Sequence, residues 1–174
     1  MKLFNKRGDS GETSLLYGQR TPKSGYRCHF NGAIDESVSA LGLARSFCKR
    51  KEVQDTLLQL QKDLFIAGAE LAVPEENYAD FQSKGRTISE EMVESLTGTV
   101  ELFETKITLP KEFIIPGSTT SSAAIDMART AVRRTERIAV QIHEQGLLPN
   151  EIIMRYLNRM ADLLFVLARY EETD

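Results

Sequence analysis

The residues best suited to chemistry form a file of arginines. Arg129, Arg133 and Arg137 recur at every fourth position, with Arg134 and Glu136 among them. At roughly 100° per residue on a helix, these three lie within about 80° of one another. Glu136 falls in the same sector, and Arg134 lies to one side. Ala124, Ala128, Ala131, Val132, Ala139 and Ile142 occupy the opposite sector and make a core face. A guanidinium fork pairs two phosphate oxygens at once, so the file suits a polyphosphate. The alternative is a solvated charged face with Arg–Glu pairs along the helix. Like charges one turn apart repel by roughly a few tenths of a kcal/mol per pair, which a bound anion would relieve.

A second feature is the polar stretch Gly8, Asp9, Ser10, Gly11, Glu12, Thr13 and Ser14. Lys6 and Arg7 precede it, and Arg20, Lys23 and Arg27 follow. Glycine lets backbone N–H groups turn toward an anion, and hydroxyls add donors. The Gly-Lys-Ser/Thr ending of a Walker A loop is missing. An ordinary turn would have a similar composition. Together with the arginines, the stretch reads as the second wall of one phosphate site. His29 and His143 stand apart without metal-ligand spacing and read as surface residues. The Glu-x-x-His pairs of di-iron bundles are absent.

These groups need helices to position them. Residues 1–31 show no helical period and read as loop. A helix is expected from about Ala33, with Ile34, Val38, Leu41, Ala44 and Phe47 on one face. A second runs from about Val53 to Leu71, along Leu57, Leu60, Leu64 and Ala67, and Pro74 ends it. Residues 74–86 read as a polar connection. Thr87 to Glu90 fits a capping box for a third helix reaching about Lys106. Residues 110–122 form a loop holding an apolar island, Phe113, Ile114 and Ile115. A fourth helix spans about Ser122 to Gln145, stopped by Gly146, and a fifth spans Asn150 to Tyr170 with Asn150 as N-cap. On the last helix Tyr156, Leu157, Met160, Leu164 and Leu167 face inward. Glu151, Arg155, Asn158, Asp162 and Arg169 share the polar side, where Asn158 is either a surface residue or a ligand donor. The expected fold is all-α, a five-helix antiparallel bundle forming one domain over residues 1–174, with residues 1–31 as its N-terminal loop.

A net charge of −3 argues against a general nucleic-acid binder. Cys28 and Cys48, without a Cys-x-x-Cys pair, read as reduced thiols. No apolar run approaches the roughly 18 residues of a membrane span, and the first residues lack a signal-peptide core. A cytoplasmic protein without membrane contact is expected.

Five segments in order resemble the trimeric ATP:cob(I)alamin adenosyltransferases. They are residues 6–15 (KRGDSGETSL), 32–36 (GAIDE), 113–117 (FIIPG), 128–137 (ARTAVRRTER) and 156–165 (YLNRMADLLF). Between residues 50 and 110 only the helical pattern agrees. The resemblance implies a homotrimer with active sites between subunits. It implies transfer of the 5′-deoxyadenosyl group of ATP to the cobalt of reduced cobalamin, with triphosphate leaving. Asn5, Lys6, Arg7, Gly8, Thr13, Ser14 and Lys23 would surround the triphosphate. Arg133, Arg134 and Arg137 would bind ATP, with Arg133 nearest the chemistry. Glu136 would hold Mg²⁺ or the ribose, and Asn158 would touch the nucleotide. Asp35 and Arg129 match a catalytic pair that bridges subunits and orders the cobalamin side. Phe113 matches an aromatic that keeps the lower axial ligand off cobalt. A reductase and an adenosylcobalamin-dependent enzyme are implied as partners. The family usually has Thr where this chain has Asn5, and Ser37 and Ser118 also depart from its pattern. Two other readings are a non-catalytic corrinoid or ATP carrier or sensor on the same fold, and a helical protein whose stripe docks an acidic partner.

Overall fold

The computed structural model describes residues 6–109 and 112–173. The chain begins with an antiparallel ribbon, β1 (Glu12–Ser14) and β2 (Arg20–Pro22), in which Thr13 faces Thr21. Among the described residues six α-helices follow: α1 (Tyr26–Phe47), α2 (Lys51–Leu71), α3 (Tyr78–Ser83), α4 (Glu90–Glu104), α5 (Thr120–Glu144) and α6 (Ile152–Tyr170). Five are long and α3 is a single short piece within the expected polar connection. Helix α1 packs between α2 and α5, α5 packs on α6, and α6 packs on α4.

Apolar periodicity decides which faces are buried. Leu57, Leu60, Leu64, Ala67 and Leu71 of α2 are buried, as are Tyr156, Leu157, Met160, Leu164 and Leu167 of α6. On α5 the expected core positions Ala128, Ala131, Val132, Ala139 and Ile142 are buried, while Ala124 is partly so. Small residues there let α1 and α5 approach closely. A buried polar pin sets their register: the Thr135 hydroxyl lies 2.9 Å from Ser37 Oγ and donates toward the Ala33 carbonyl at 3.0 Å. Thr135 therefore sits opposite the arginines and fixes how α5 is rotated.

Helix ends follow their local chemistry with two corrections. Asn150 Oδ1 accepts from the Ile152 amide at 3.0 Å, capping α6 as expected, and its amide donates to the Ile88 carbonyl at 2.9 Å. Gly146 adopts φ 71°, which favours glycine and stops α5. Helix α4 is capped by Ser89, which accepts from the Met92 amide at 3.4 Å, and not by Thr87. The larger correction is α1, which starts at Tyr26 and not near Ala33. Residues 26–32 carry little helical period, but Phe30 is buried in the core. Arg27 also donates to the Leu71 and Val73 carbonyls at 2.5 and 2.7 Å. Those acceptors lie at the end of α2, where carbonyls lack helical partners. The first turn of α1 is thus held by the end of α2.

Candidate active site

Arg133 and Arg137 are exposed on α5, with Glu136 half-buried beside them. The Arg133 side chain has no ion pair among the described residues, and its carbonyl accepts from Arg137 Nη1 at 3.0 Å. Asn158 of α6 donates to Glu136 Oε1 at 3.1 Å, so α6 brings Asn158 onto the arginine face. Arg134 has a partner inside the protomer. It pairs with Glu36 of α1, on the far side of the stripe from Asn158. Its positive charge is therefore already balanced within the protomer. A shallow cleft of about 270 Å³ between α1 and α5 is lined by Glu36, Arg134 and Arg137.

Arg129 is also already engaged. Its Nε donates to Asp126 Oδ1 at 3.1 Å, one turn earlier on α5. The expected partner Asp35 is exposed on α1 and forms no ion pair among the described residues. Arg169, expected on the polar side of the last helix, is buried instead. Its Nη2 donates to Asp126 Oδ2 at 2.6 Å, and its Nε lies 3.0 Å from Glu172 Oε2. Periodicity placed Arg169 correctly on the helix but did not reveal the acids, on α5 and just past α6, that cover it.

The N-terminal loop turns tightly. Lys6 adopts φ 55°, in the left-handed region. The Asp9 amide donates to the Lys6 carbonyl at 3.2 Å and the Gly11 amide to the Gly8 carbonyl at 3.3 Å. These turns leave the Gly8 and Ser10 amides without an acceptor among the described residues, as an anion-binding loop requires. A Cβ on Gly8 would lie 2.8 Å from Lys23 Nζ, so glycine is what lets that ammonium close over the loop. Arg20 steadies the same region, donating to the Arg7 carbonyl at 2.9 Å and to Ser14 Oγ at 3.3 Å. Thr13 and Ser14 sit on β1. Asn5 lies outside the described residues. The ribbon is anchored away from the arginines: the Leu16 amide donates to the Ala72 carbonyl, and Tyr17 to Asp80.

Phe113 is fully exposed at 105% and Ile115 at 87%. Apolar side chains presented this way have the surface of a binding wall. A cleft of about 550 Å³ lies elsewhere, between α2, α4 and α6, and includes no expected site residue. Its floor holds Asp63, which accepts from the buried Tyr156 hydroxyl at 2.6 Å and from Gln59 at 2.9 Å. Burial and the adjacent Asp63 push the Tyr156 phenol above its ordinary range. That bond satisfies a buried carboxylate. Among the described residues no cluster of three or more acidic, His or Cys side chains is placed to hold a metal.

The model of one family, cobalamin adenosyltransferase, matches residues 3–171. The chain belongs to the cobalamin adenosyltransferase family. A corrinoid adenosyltransferase of Citrobacter freundii is 35% identical, with 99% of this chain and 96% of the relative aligned. One of Bacillus subtilis is 34% identical over 97% of this chain and 86% of its own length. In the PduO corrinoid adenosyltransferase of Salmonella typhimurium the match takes in 51% of the relative. Two solved structures of PduO-type ATP:corrinoid adenosyltransferase variants from Lactobacillus reuteri share the fold. One, complexed with cobalamin and ATP, gives a TM-score of 0.87 at 28% identity over 98% of this chain and 93% of that one. Another, complexed with ATP, gives 0.86 at 27% identity over 98% and 94%. The family's bundle is what carries the arginine face of α5, Asn158 of α6 and the loop of residues 6–14 here.

Proposed function

We propose that the protein transfers the 5′-deoxyadenosyl group of ATP to the cobalt of a reduced corrinoid. The supporting observation is the exposed Arg133 guanidinium, without an ion pair among the described residues, on the helix face it shares with Arg137 and beside the Glu136–Asn158 bond. The electron pair of Co(I) forms the cobalt–carbon bond at the ribose C5′. The C5′–oxygen bond breaks, and its electrons leave with triphosphate. No proton need move, so no general base is required. The protein's work is to hold C5′ in line and to stabilise the leaving group's charge.

Arg133 and Arg137 supply forked donors to the triphosphate. Lys6, Arg7, Lys23, Thr13, Ser14 and the open amides of the glycine loop enclose it from the other side. Arg134, already neutralised by Glu36, contributes less than its neighbours. Asn158 and Glu136 orient the ribose. Mg²⁺ commonly binds through one or two carboxylates together with substrate phosphates. Glu136 is one such carboxylate, so the donor set fits a cation that arrives with ATP and not a resident metal. When bound, that cation offsets phosphate charge. Phe113, bare of contacts within the protomer, provides a dry wall against the corrinoid.

The loop is anchored near α2 and α3 while the arginines lie on α5. A homotrimer, with the site formed between neighbouring copies, joins the two walls and places Asp35 opposite Arg129. A reductase delivering one electron to Co(II), an adenosylcobalamin-dependent acceptor of the product and a cytoplasmic setting complete the proposal. The test is anaerobic incubation of the protein with ATP, Mg²⁺ and chemically reduced cobalamin. Appearance of the adenosylcobalamin spectrum and of stoichiometric triphosphate is expected. Binding of both ligands with neither product would refute the reading.

A further inference from the structure

We propose that Asp126 is a positioning residue for adenosyl transfer, acting through Arg129, and that Arg169 holds Asp126 in place. The proposal rests on the role given above to Arg129. Asp126 is only 3% exposed although it lies on the same side of α5 as the arginines. One of its oxygens accepts from Arg129 Nε and the other from Arg169 Nη2. Both guanidinium groups flank the Phe165 ring, at 5.7 and 5.5 Å from its centroid. Arg129 is thereby gripped at Nε and against a ring face. Its two terminal nitrogens have no other partner among the described residues, and the side chain keeps 24% exposure. A free arginine on a helix samples many rotamers, whereas this one presents its fork in one direction.

The clamp also reaches the apolar loop. Arg169 and Glu172 line an open cleft of about 400 Å³ together with Ile114 and Ile115, which follow Phe113 in the chain. The buried pair therefore links the orientation of Arg129 to the base of the segment carrying Phe113. Asp126 itself is too deeply buried to touch a substrate, so its effect must pass through Arg129.

The test compares Arg129→Ala, Asp126→Asn, the paired variant Asp126→Leu with Arg169→Met, and the paired variant combined with Arg129→Ala. Replacing a buried ion pair by apolar groups of similar size is often neutral for stability. The paired variant thus keeps the test available if Asp126→Asn unfolds. Loss of orientation should lower kcat by about tenfold or more, since misplacement by an ångström costs on the order of a hundredfold. The KM for ATP should stay within about twofold, because groups that bind the nucleotide are untouched. The combined variant should be no slower than Arg129→Ala, as expected for residues acting as a unit. Wild-type kcat in the folded Asp126 variants beside an impaired Arg129→Ala would overturn the positioning role. So would losses that multiply in the combined variant. Wild-type turnover in Arg129→Ala would instead remove the role of Arg129, and the positioning role with it.

Discussion

Replacing Arg133 by Ala separates chemistry from folding unusually well. The side chain is exposed and makes no ion pair among the described residues. The backbone carbonyl that accepts from Arg137 Nη1 survives the change. Alanine is the strongest helix former, and removing one of a row of like charges relieves repulsion. The expected stability change is therefore within about 0.5 kcal/mol, which for a chain of this size moves Tm by roughly 1–2 °C. Turnover should respond very differently. The leaving triphosphate gains charge as the C5′–oxygen bond breaks, so an arginine at that position acts most strongly in the transition state. Removing one such donor costs about 2.7–4 kcal/mol, or roughly 100- to 1,000-fold in kcat. The assay is steady-state adenosylation of cob(I)alamin under anaerobic conditions, with thermal melting and gel filtration run beside it. A loss confined to the KM for ATP would refute the reasoning, because it would make Arg133 a ground-state binder only. A large fall in Tm would refute it too, by exposing a structural role that the geometry denies.

Three further outcomes follow from the geometry. Phe113→Ala should leave Tm unchanged, since the ring buries nothing in the protomer, and should impair the Co(II)-dependent reaction more than the reaction from Co(I); equal losses in both assays would contradict its role as a wall. Burial raises the Glu70 carboxyl above the ordinary carboxylate range despite bonds from Tyr78 and the Ile88 amide. In the unfolded chain that carboxyl ionises first, so its stabilising contribution is full at acid pH and is lost as pH rises through the raised folded value. Chemical denaturation across pH 4–8 should show that falling contribution, and Glu70→Gln should lack it. The Cys48 thiol is pushed up to about 12, mainly by burial, so a thiol reagent at neutral pH should label the half-exposed Cys28 and reach Cys48 only after unfolding; equal labelling in the native state would refute this.

How far the site was legible depended on the range of the forces involved. The arginine face of α5 and its apolar back were readable because one helix's period sets both. Asn150 and Gly146 were readable because capping acts within a few residues. The start of α1 was not. Arg27 and Phe30 become helical through contacts with the end of α2 and the core, and neither contact leaves a periodic trace. The spacing from Thr87 to Glu90 fits a capping box, but the helix begins at Glu90 and its cap is the residue next to it, Ser89.

Sequence by itself thus determined an α-helical bundle, the helix faces, and a set of residue types suited to a polyphosphate. Local hydrogen bonding and apolar periodicity are carried by neighbours along the chain. Only the tertiary structure decided the state of each charged group. Arg133 and Arg137 remain available for an anion, Arg134 is drawn to Glu36, and Arg129 and Arg169 converge on Asp126. Those pairings depend on side chains far apart in sequence and on burial, which sets how strongly opposite charges attract and how costly an unpaired one would be.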